Sequence, residues 1–485
     1  MKLPRKGLSR DEVLQRLAGV RDNDLDWRSG RTFAYVYDPG SEAEDIAKLA
    51  YLDFLGENAL DPTAFPSIMK MENDLVALAA RHLGADPAET WGSFTSGGTE
   101  SIICAVKAAR DWARTHKPEI TRPRMVLPVT AHAAFQKAAH YLCIEVDLVE
   151  VHPTSFEAGA EAMAAAVTDD TILLVGSAPS YAHGVCDDIE GMGQLALDKG
   201  LLLHVDACMG GWLLPYYRRL GLDVPRFELD VPGVTSISMD LHKYAYCPKG
   251  ASLVLYNDKE LKKHQIFSCS SWTGYTIVNP TVQSTKPGGP VAAAWVLMQF
   301  LGDEGYMELA RGVLEATSRC VEGIRSIEGL EVMGRPLMPL IAVTSDSVDI
   351  FHVVDEMKER GWYIQPQMGL SREDGTRYRE NFHLSINRST ACRVEEMLVD
   401  LEASVEAARA LPRVGIEQIQ AMLASFDLEN MSEAAFGDLL GMAGISGTAL
   451  PDRMAGINGL LDAMPPKAAD RLLTAFFNEL NHSSE

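Results

Sequence analysis

Apolar residues in this chain alternate between two spacings. The segments Ser67–Leu83, Ser101–Thr115, Ala131–Leu142, Glu161–Val167 and Asp188–Lys199 place them three and four apart, the spacing of a helix with one buried face. Between these lie short apolar runs at Met125–Pro128, Glu145–Val151, Thr171–Gly176, Leu201–Asp206, Ser236–Met239 and Ala251–Tyr256. Runs of that length, apolar on both faces and separated by helices, predict a mostly parallel sheet covered on both sides. From about residue 302 the texture changes. GLEVMGRPLMPLIAVTS, DIFHVVDEMKERGW and NFHLSIN predict a smaller α+β unit. Residues 1–60 read as a helical arm with a loop, RTFAYVYDPG. Residues 411–485 read as helical, and PPKAADRLLTAFFNEL is amphipathic with Pro466 near a helix start. The expected division is therefore an arm (1–60), a large α/β domain (61–301), a small α+β domain (302–410) and a helical extension (411–485).

Composition narrows the function. A net charge of −23 repels nucleic acid and anionic membranes, so neither is expected as a partner. No apolar run reaches the roughly 18 residues of a membrane span, and the N-terminus has no secretory h-region. Eight scattered cysteines without a C-x-x-C pair point to a reducing, cytoplasmic setting. Any anionic ligand must be held by a local cluster of donors.

Three features supply such a cluster. LLLHVDACMGG ends an apolar strand in Asp206, at the sheet edge where ligands bind in open α/β folds. SMDLHKYAYCPKG places Lys243 just after a second strand. On their own the two charges read equally well as a structural ion pair. TSGGTES adds a turn at Gly97 and Gly98, with Thr99 as a cap for the following helix, whose N-terminus attracts anions. A phosphate for the turn, a ring cation for Asp206 and an electrophilic carbon for Lys243 together describe pyridoxal 5′-phosphate. His132 is placed to stack on the ring and His242 to reach the phosphate. His204 reads as a buried, hydrogen-bonded histidine, and no third group stands at metal-ligand spacing to it and Asp206.

FPSIMKMENDLVALAARHLGA, TSGGTES, AHAAFQKAA, HVDACMGGW, GVTSISMDLHKYAYCPKGASLVLY and PTVQSTKPGG, in this order over roughly residues 30–410, resemble the sphingosine-1-phosphate lyase family of group II pyridoxal-phosphate decarboxylases. The resemblance implies an α/β fold of type I, with a mostly parallel seven-stranded sheet flanked by helices. It also implies a homodimer with active sites between subunits. It carries over Lys243 as Schiff-base lysine, Asp206 as ring-nitrogen partner and His132 as stacking residue. Gly98, Thr99 and His242 fall on phosphate positions, Gly288 on a position that reaches the partner subunit's phosphate, and Tyr181 beside the substrate. Tyr37 and Lys249 fall where relatives hold the substrate's own phosphate. Two motifs depart: NALDP (Asn58 to Pro62) has Asp61 where the family has histidine, and TKPGG has Lys286 for arginine. An acid at 61 repels a phosphate, and a lysine at 286 loses the bidentate fork. The expected activity is cleavage of a phosphorylated long-chain amino alcohol to an aldehyde and phosphoethanolamine, with Tyr181 or Lys243 moving the protons. The alternatives are α-decarboxylation of an amino acid, with Asp61 holding a basic group, and a non-catalytic scaffold.

Overall fold

The computed structural model describes residues 3–371, 377–413 and 450–481, and residues 419, 423 and 441 singly. The extension expected to be helical falls largely outside these, at 414–418, 420–422, 424–440, 442–449 and 482–485. Its described part forms helices Ala455–Ala463 and Pro466–Leu480, and Pro466 opens the second as expected.

Seven strands build the central sheet: β1 (Trp91–Thr95), β2 (Arg124–Pro128), β3 (Glu145–Val149), β4 (Thr171–Ser177), β5 (Leu202–Asp206), β6 (Ser236–Met239) and β7 (Ser252–Tyr256). Their spatial order is β1-β7-β6-β5-β4-β2-β3. Only β7 runs against its neighbours; β6, β5, β4, β2 and β3 pair in parallel. β4, β5, β6 and β7 are buried along their whole length, which is why β4 and β7 read as apolar runs; β5 and β6 bury His204, Ser236 and Ser238 as well. The helices between them cover both faces, and each begins within three residues of its expected start.

A hairpin of β8 (Phe267–Cys269) and β9 (Ile277–Asn279) precedes the long helix Gly288–Ser326. That helix breaks at Gly302 (φ 60°, ψ −178°), backbone that only glycine adopts without strain. Helix Ser41–Asp53 of the N-terminal segment packs along it. A second, antiparallel sheet follows in the order β10 (Glu331–Val332), β11 (Leu340–Thr344), β15 (Asn381–Ser385), β12 (Gln365–Gln367). β13 (Leu370–Ser371) and β14 (Arg377–Tyr378) pair beside it. Helices Ile350–Glu359 and Val394–Arg409 pack on one another, giving the α+β texture read from the sequence. Among the described residues no helix is long and apolar enough to cross a membrane.

Candidate active site

The carboxyl ends of β1, β5 and β6 converge on a cavity of about 340 Å³. Gly97, Gly98, Thr99, His132, Tyr181, Asp206, His242 and Lys243 all line it. Lys243 follows β6 by four residues, and Asp206 ends the neighbouring β5, so parallel pairing brings the two charges to one edge. They are not each other's partner. The Lys243 ammonium sits 2.9 Å from Oδ2 of Asp240, a buried carboxylate three residues upstream. Asp240 is the site residue that sequence reasoning missed. Its signal was the acid three before the lysine, but the sequence does not say which way that side chain turns.

Burial alone would lower the Lys243 pKa; the Asp240 carboxylate, helped by Cys208, Tyr37 and Asp206, outweighs it and raises it. Burial would raise Asp240, yet Lys243 and His242 hold it below the ordinary carboxylate range. Burial pulls His242 down to about 4, against the attraction of Asp240, so the ring is neutral at physiological pH. Its Nδ1 accepts from the Ala251 N–H at 3.3 Å, which leaves the proton on Nε2, 3.7 Å from Asp240 Oδ2.

Asp206 is held by its neighbours. Its Oδ1 accepts from the Cys208 N–H at 3.0 Å and the Ser238 hydroxyl at 3.3 Å, and neither bond uses Oδ2. Behind it, fully buried His204 bonds Ser236 at 2.8 Å and Ser238 at 3.2 Å. Burial lowers its pKa to about 4, so it is the neutral core histidine the sequence suggested.

Helix Gly98–His116 starts at the cavity, but its N-cap is Gly97 and no side chain caps it. Thr99 therefore stands in the first turn and is not the cap expected from the sequence. Glu100 ties the turn down instead: Oε2 accepts from the Ser96 N–H at 2.7 Å and Oε1 from the Gln283 N–H at 2.9 Å. A Cβ on Gly98 would lie 2.8 Å from both Asp240 Oδ2 and Cys208 Sγ, so only glycine fits there. His132 opens the turn after β2, where its Nδ1 accepts from the Ala134 N–H at 3.1 Å and leaves the ring on the cavity wall. The half-buried Tyr181 donates its hydroxyl to Gln365 Oε1 at 2.6 Å, and burial raises its pKa.

A second cavity of about 370 Å³ adjoins at His242, which lines both. Its walls are mostly apolar or aromatic (Trp27, Val36, Tyr51, Tyr246) and it carries Tyr37 and Lys249. The Lys249 ammonium lies 5.0 Å from the centre of the Tyr37 ring.

The remaining candidates are elsewhere. Asp61 is exposed, and its Oδ1 accepts from the Thr63 N–H at 2.8 Å and hydroxyl at 2.7 Å; these bonds lower its pKa. It lines neither cavity of its own chain, so within one subunit it does not share the cavity that holds Lys249. Asn58 Oδ1 accepts from the Leu60 N–H at 3.1 Å. Gly288 donates its N–H to Glu57 O at 2.8 Å and stands outside the cavity of its own chain. Lys286 is corrected from a substrate residue to a structural one. It is buried, with its ammonium 2.5 Å from Glu72 Oε2 and 3.2 Å from Phe94 O, and a charge so paired is not free for a ligand.

The donor set fits pyridoxal phosphate on this structure's own terms. A helix N-terminus with a glycine cradle suits a phosphate, a strand-end carboxylate with one free oxygen suits a pyridinium, and a lysine amine faces the same space. Fold and site together define a pyridoxal-phosphate enzyme of fold type I.

The comparisons narrow the class. Residues 26–344 match the model of the pyridoxal-dependent decarboxylase conserved domain, and 417–479 match that of a putative C-terminal HTH domain of pyridoxal-dependent enzymes. A sphingosine-1-phosphate lyase of Arabidopsis thaliana is 40% identical over 84% of this chain and 74% of its own length. The solved sphingosine-1-phosphate lyase of Burkholderia pseudomallei superposes with a TM-score of 0.78 at 34% identity, over 89% of this chain and 97% of that one. A glutamate decarboxylase of Lactobacillus brevis, TM-score 0.73 at 19% identity over 85% and 96%, shares the fold. The chain belongs to the sphingosine-1-phosphate lyase family, within the pyridoxal-phosphate-dependent decarboxylases.

Proposed function

We propose that this chain is a pyridoxal-phosphate-dependent carbon–carbon lyase that splits a phosphorylated long-chain amino alcohol into an aldehyde and phosphoethanolamine. The observation that carries the reading is the meeting, at His242, of the Lys243–Asp206 cavity with an apolar-walled cavity holding Tyr37 and Lys249. The first fits the cofactor, and the second offers a cation and a phenol to a phosphate beside apolar surface. Family membership supports the same reading.

The cofactor, when bound, supplies the electron sink for the pair released as the carbon–carbon bond breaks. The chain supplies the rest. Asp206 presents Oδ2 to the ring nitrogen, and the N-terminus of helix Gly98–His116, with His242 Nε2–H, takes the phosphate. His132 walls the ring. Lys243 Nζ is the covalent anchor, and as a neutral amine, once released from that link, it can take the substrate's β-hydroxyl proton beside the Asp240 carboxylate that stabilises the resulting ammonium. Tyr181, kept as a phenol by burial, is the donor to the carbon that bears the amine.

We place the enzyme in the cytoplasm as a homodimer, with the arm (1–60), large domain (61–301), small domain (302–410) and extension (411–485) as its parts. All eight cysteines are unpaired, which suits a reducing compartment. Leu49 and Leu52 of helix Ser41–Asp53, and Leu55 beyond it, are exposed and apolar, which suits a covering second copy. In that dimer Asn58, Asp61 and Gly288 act on the partner's site.

Product analysis tests the reading. Sphingosine 1-phosphate should yield a long-chain aldehyde and phosphoethanolamine; release of CO2 from an amino acid, with no aldehyde from the lipid, would favour the decarboxylase instead. A pH profile tests the phosphate contact. Burial and then the like charge of Lys243 pull Lys249 down to about 8. Below that pH the ammonium attracts the substrate phosphate, and above it the attraction is lost. kcat/KM should therefore fall as pH rises through about 8, and Lys249→Met should remove that limb.

A further inference from the structure

The C-terminal module matches a putative HTH family, yet its composition is wrong for reading nucleic acid. Between residues 417 and 479 stand nine Asp and Glu against three Lys and Arg, a net of −6. Nucleic-acid binding begins with neutralised phosphates, which such a surface repels. Its described stretch, residues 450–479, packs against the body.

Two carboxylates latch it to the body. Asp355, buried on helix Ile350–Glu359, accepts from the Met454 and Ala455 N–H groups at 2.8 and 2.9 Å and so caps helix Ala455–Ala463. Asp462, at the other end of that helix, has a fully buried side chain. It accepts from Arg377 Nη2 at 2.7 Å and from the Gly369 N–H at 2.5 Å. A Cβ on Gly369 would lie 2.7 Å from Tyr378 O, 2.9 Å from Arg377 Nη2 and 3.0 Å from Asp462 Oδ1, so the seat is shaped for glycine. The next residue, Tyr378, donates its hydroxyl to Glu150 Oε2 at 2.6 Å, just past the carboxyl end of β3.

The seat continues into the active site. Gly369 lies four residues after Gln365, and β12 between them pairs with β15. Gln365 Oε1 is the acceptor of the Tyr181 hydroxyl. We propose that the C-terminal module is an intramolecular strap: Asp462 fixes the 365–371 segment, and through Gln365 it holds the Tyr181 hydroxyl in place. Asp462 and Gln365 are positioning residues in this scheme, which rests on the proton-donor role given above to Tyr181.

The test uses the full-length holoenzyme with sphingosine 1-phosphate. Asp462→Asn should speed amide hydrogen exchange over residues 365–371. It should also lower kcat about tenfold with KM unchanged, as expected for a misplaced catalytic group. Gln365→Leu should lower kcat equally, and the double variant no further than either single one, because both act on one hydroxyl. If Asp462→Asn does not fold, Arg377→Lys, which keeps the charge and loses the fork, is read the same way. Unchanged exchange, or losses from Asp462 and Gln365 that simply multiply, would overturn the strap. Tyr181→Phe separates the two ideas. A normal kcat there removes the donor role but leaves the exchange result to decide the strap. A low kcat beside a normal Asp462→Asn enzyme removes the strap alone.

Discussion

Lys243→Ala should lose at least about a thousandfold in kcat, the combined cost of a covalent anchor and a general acid–base group, and should lose the visible absorbance that shifts on adding amine. The same substitution should also destabilise the apoprotein, for a separate reason. Asp240 is buried, and its carboxylate is kept ionised by Lys243 at 2.9 Å. Without the ammonium, burial dominates and the Asp240 pKa rises. A folded-state pKa above the unfolded one favours folding at low pH and penalises it as pH rises. The stability deficit, about 1–3 kcal/mol for a buried group left unpaired, should thus be larger at neutral than at mildly acid pH. The double variant Lys243→Ala/Asp240→Asn should recover the melting temperature and none of the activity. Recovery of turnover with stability would show that the lysine is only half of an ion pair. That is the bland reading the sequence left open, and the measurement compares kcat with melting curves across pH.

How much of this could be read in advance follows from sequence separation. The sheet was legible because β4, β5 and β7 are covered on both faces, so burial wrote itself into short, mostly apolar runs. The cavity was legible for a related reason: Asp206 ends a strand and Gly98, His132, Tyr181 and Lys243 each follow one, and in a parallel sheet the strand ends share an edge. Side-chain direction was not legible. SMDLHK carries an acid and a lysine three apart, and the period of the chain there does not reveal that Asp240 turns inward to meet Lys243. Partners distant in sequence were hidden altogether. Lys286 read as a weakened substrate contact because Glu72, 214 residues away, gives no sign of claiming it. Asp462 carried no signal in the sequence, because the groups that bury it, Arg377 and Gly369, stand 85 and 93 residues before it. Thr99 was read as a cap because threonine is a good one; the cap instead falls two residues earlier, at Gly97, and Gly98 in the first turn must face Asp240 and Cys208.

Asp206→Asn should separate binding of the cofactor from its use. The asparagine keeps an oxygen where Oδ1 accepts from the Cys208 N–H and the Ser238 hydroxyl, so the end of β5 and the His204–Ser238 chain behind it should stand. What changes is the group at Oδ2, which becomes an amide that donates a hydrogen bond. A donor facing the ring nitrogen disfavours its protonated form, and a ring without that charge accepts electrons poorly. kcat should drop about 100- to 1,000-fold, the scale of losing one preorganised charge contact in a transition state. Cofactor affinity should change much less, because the helix N-terminus and Lys243 still hold the phosphate and the covalent link. Asp206→Ala should lose more of both, since the acceptor for Cys208 goes as well. The discriminating measurement is therefore the pair of numbers, kcat and the cofactor Kd, for the two variants. An Asn variant that falls in Kd as steeply as in kcat would make Asp206 a residue that builds the pocket. One that falls in kcat alone makes it the residue that sets the ring's charge. The lyase reading requires the second outcome, because breaking a carbon–carbon bond calls on the sink more heavily than binding does.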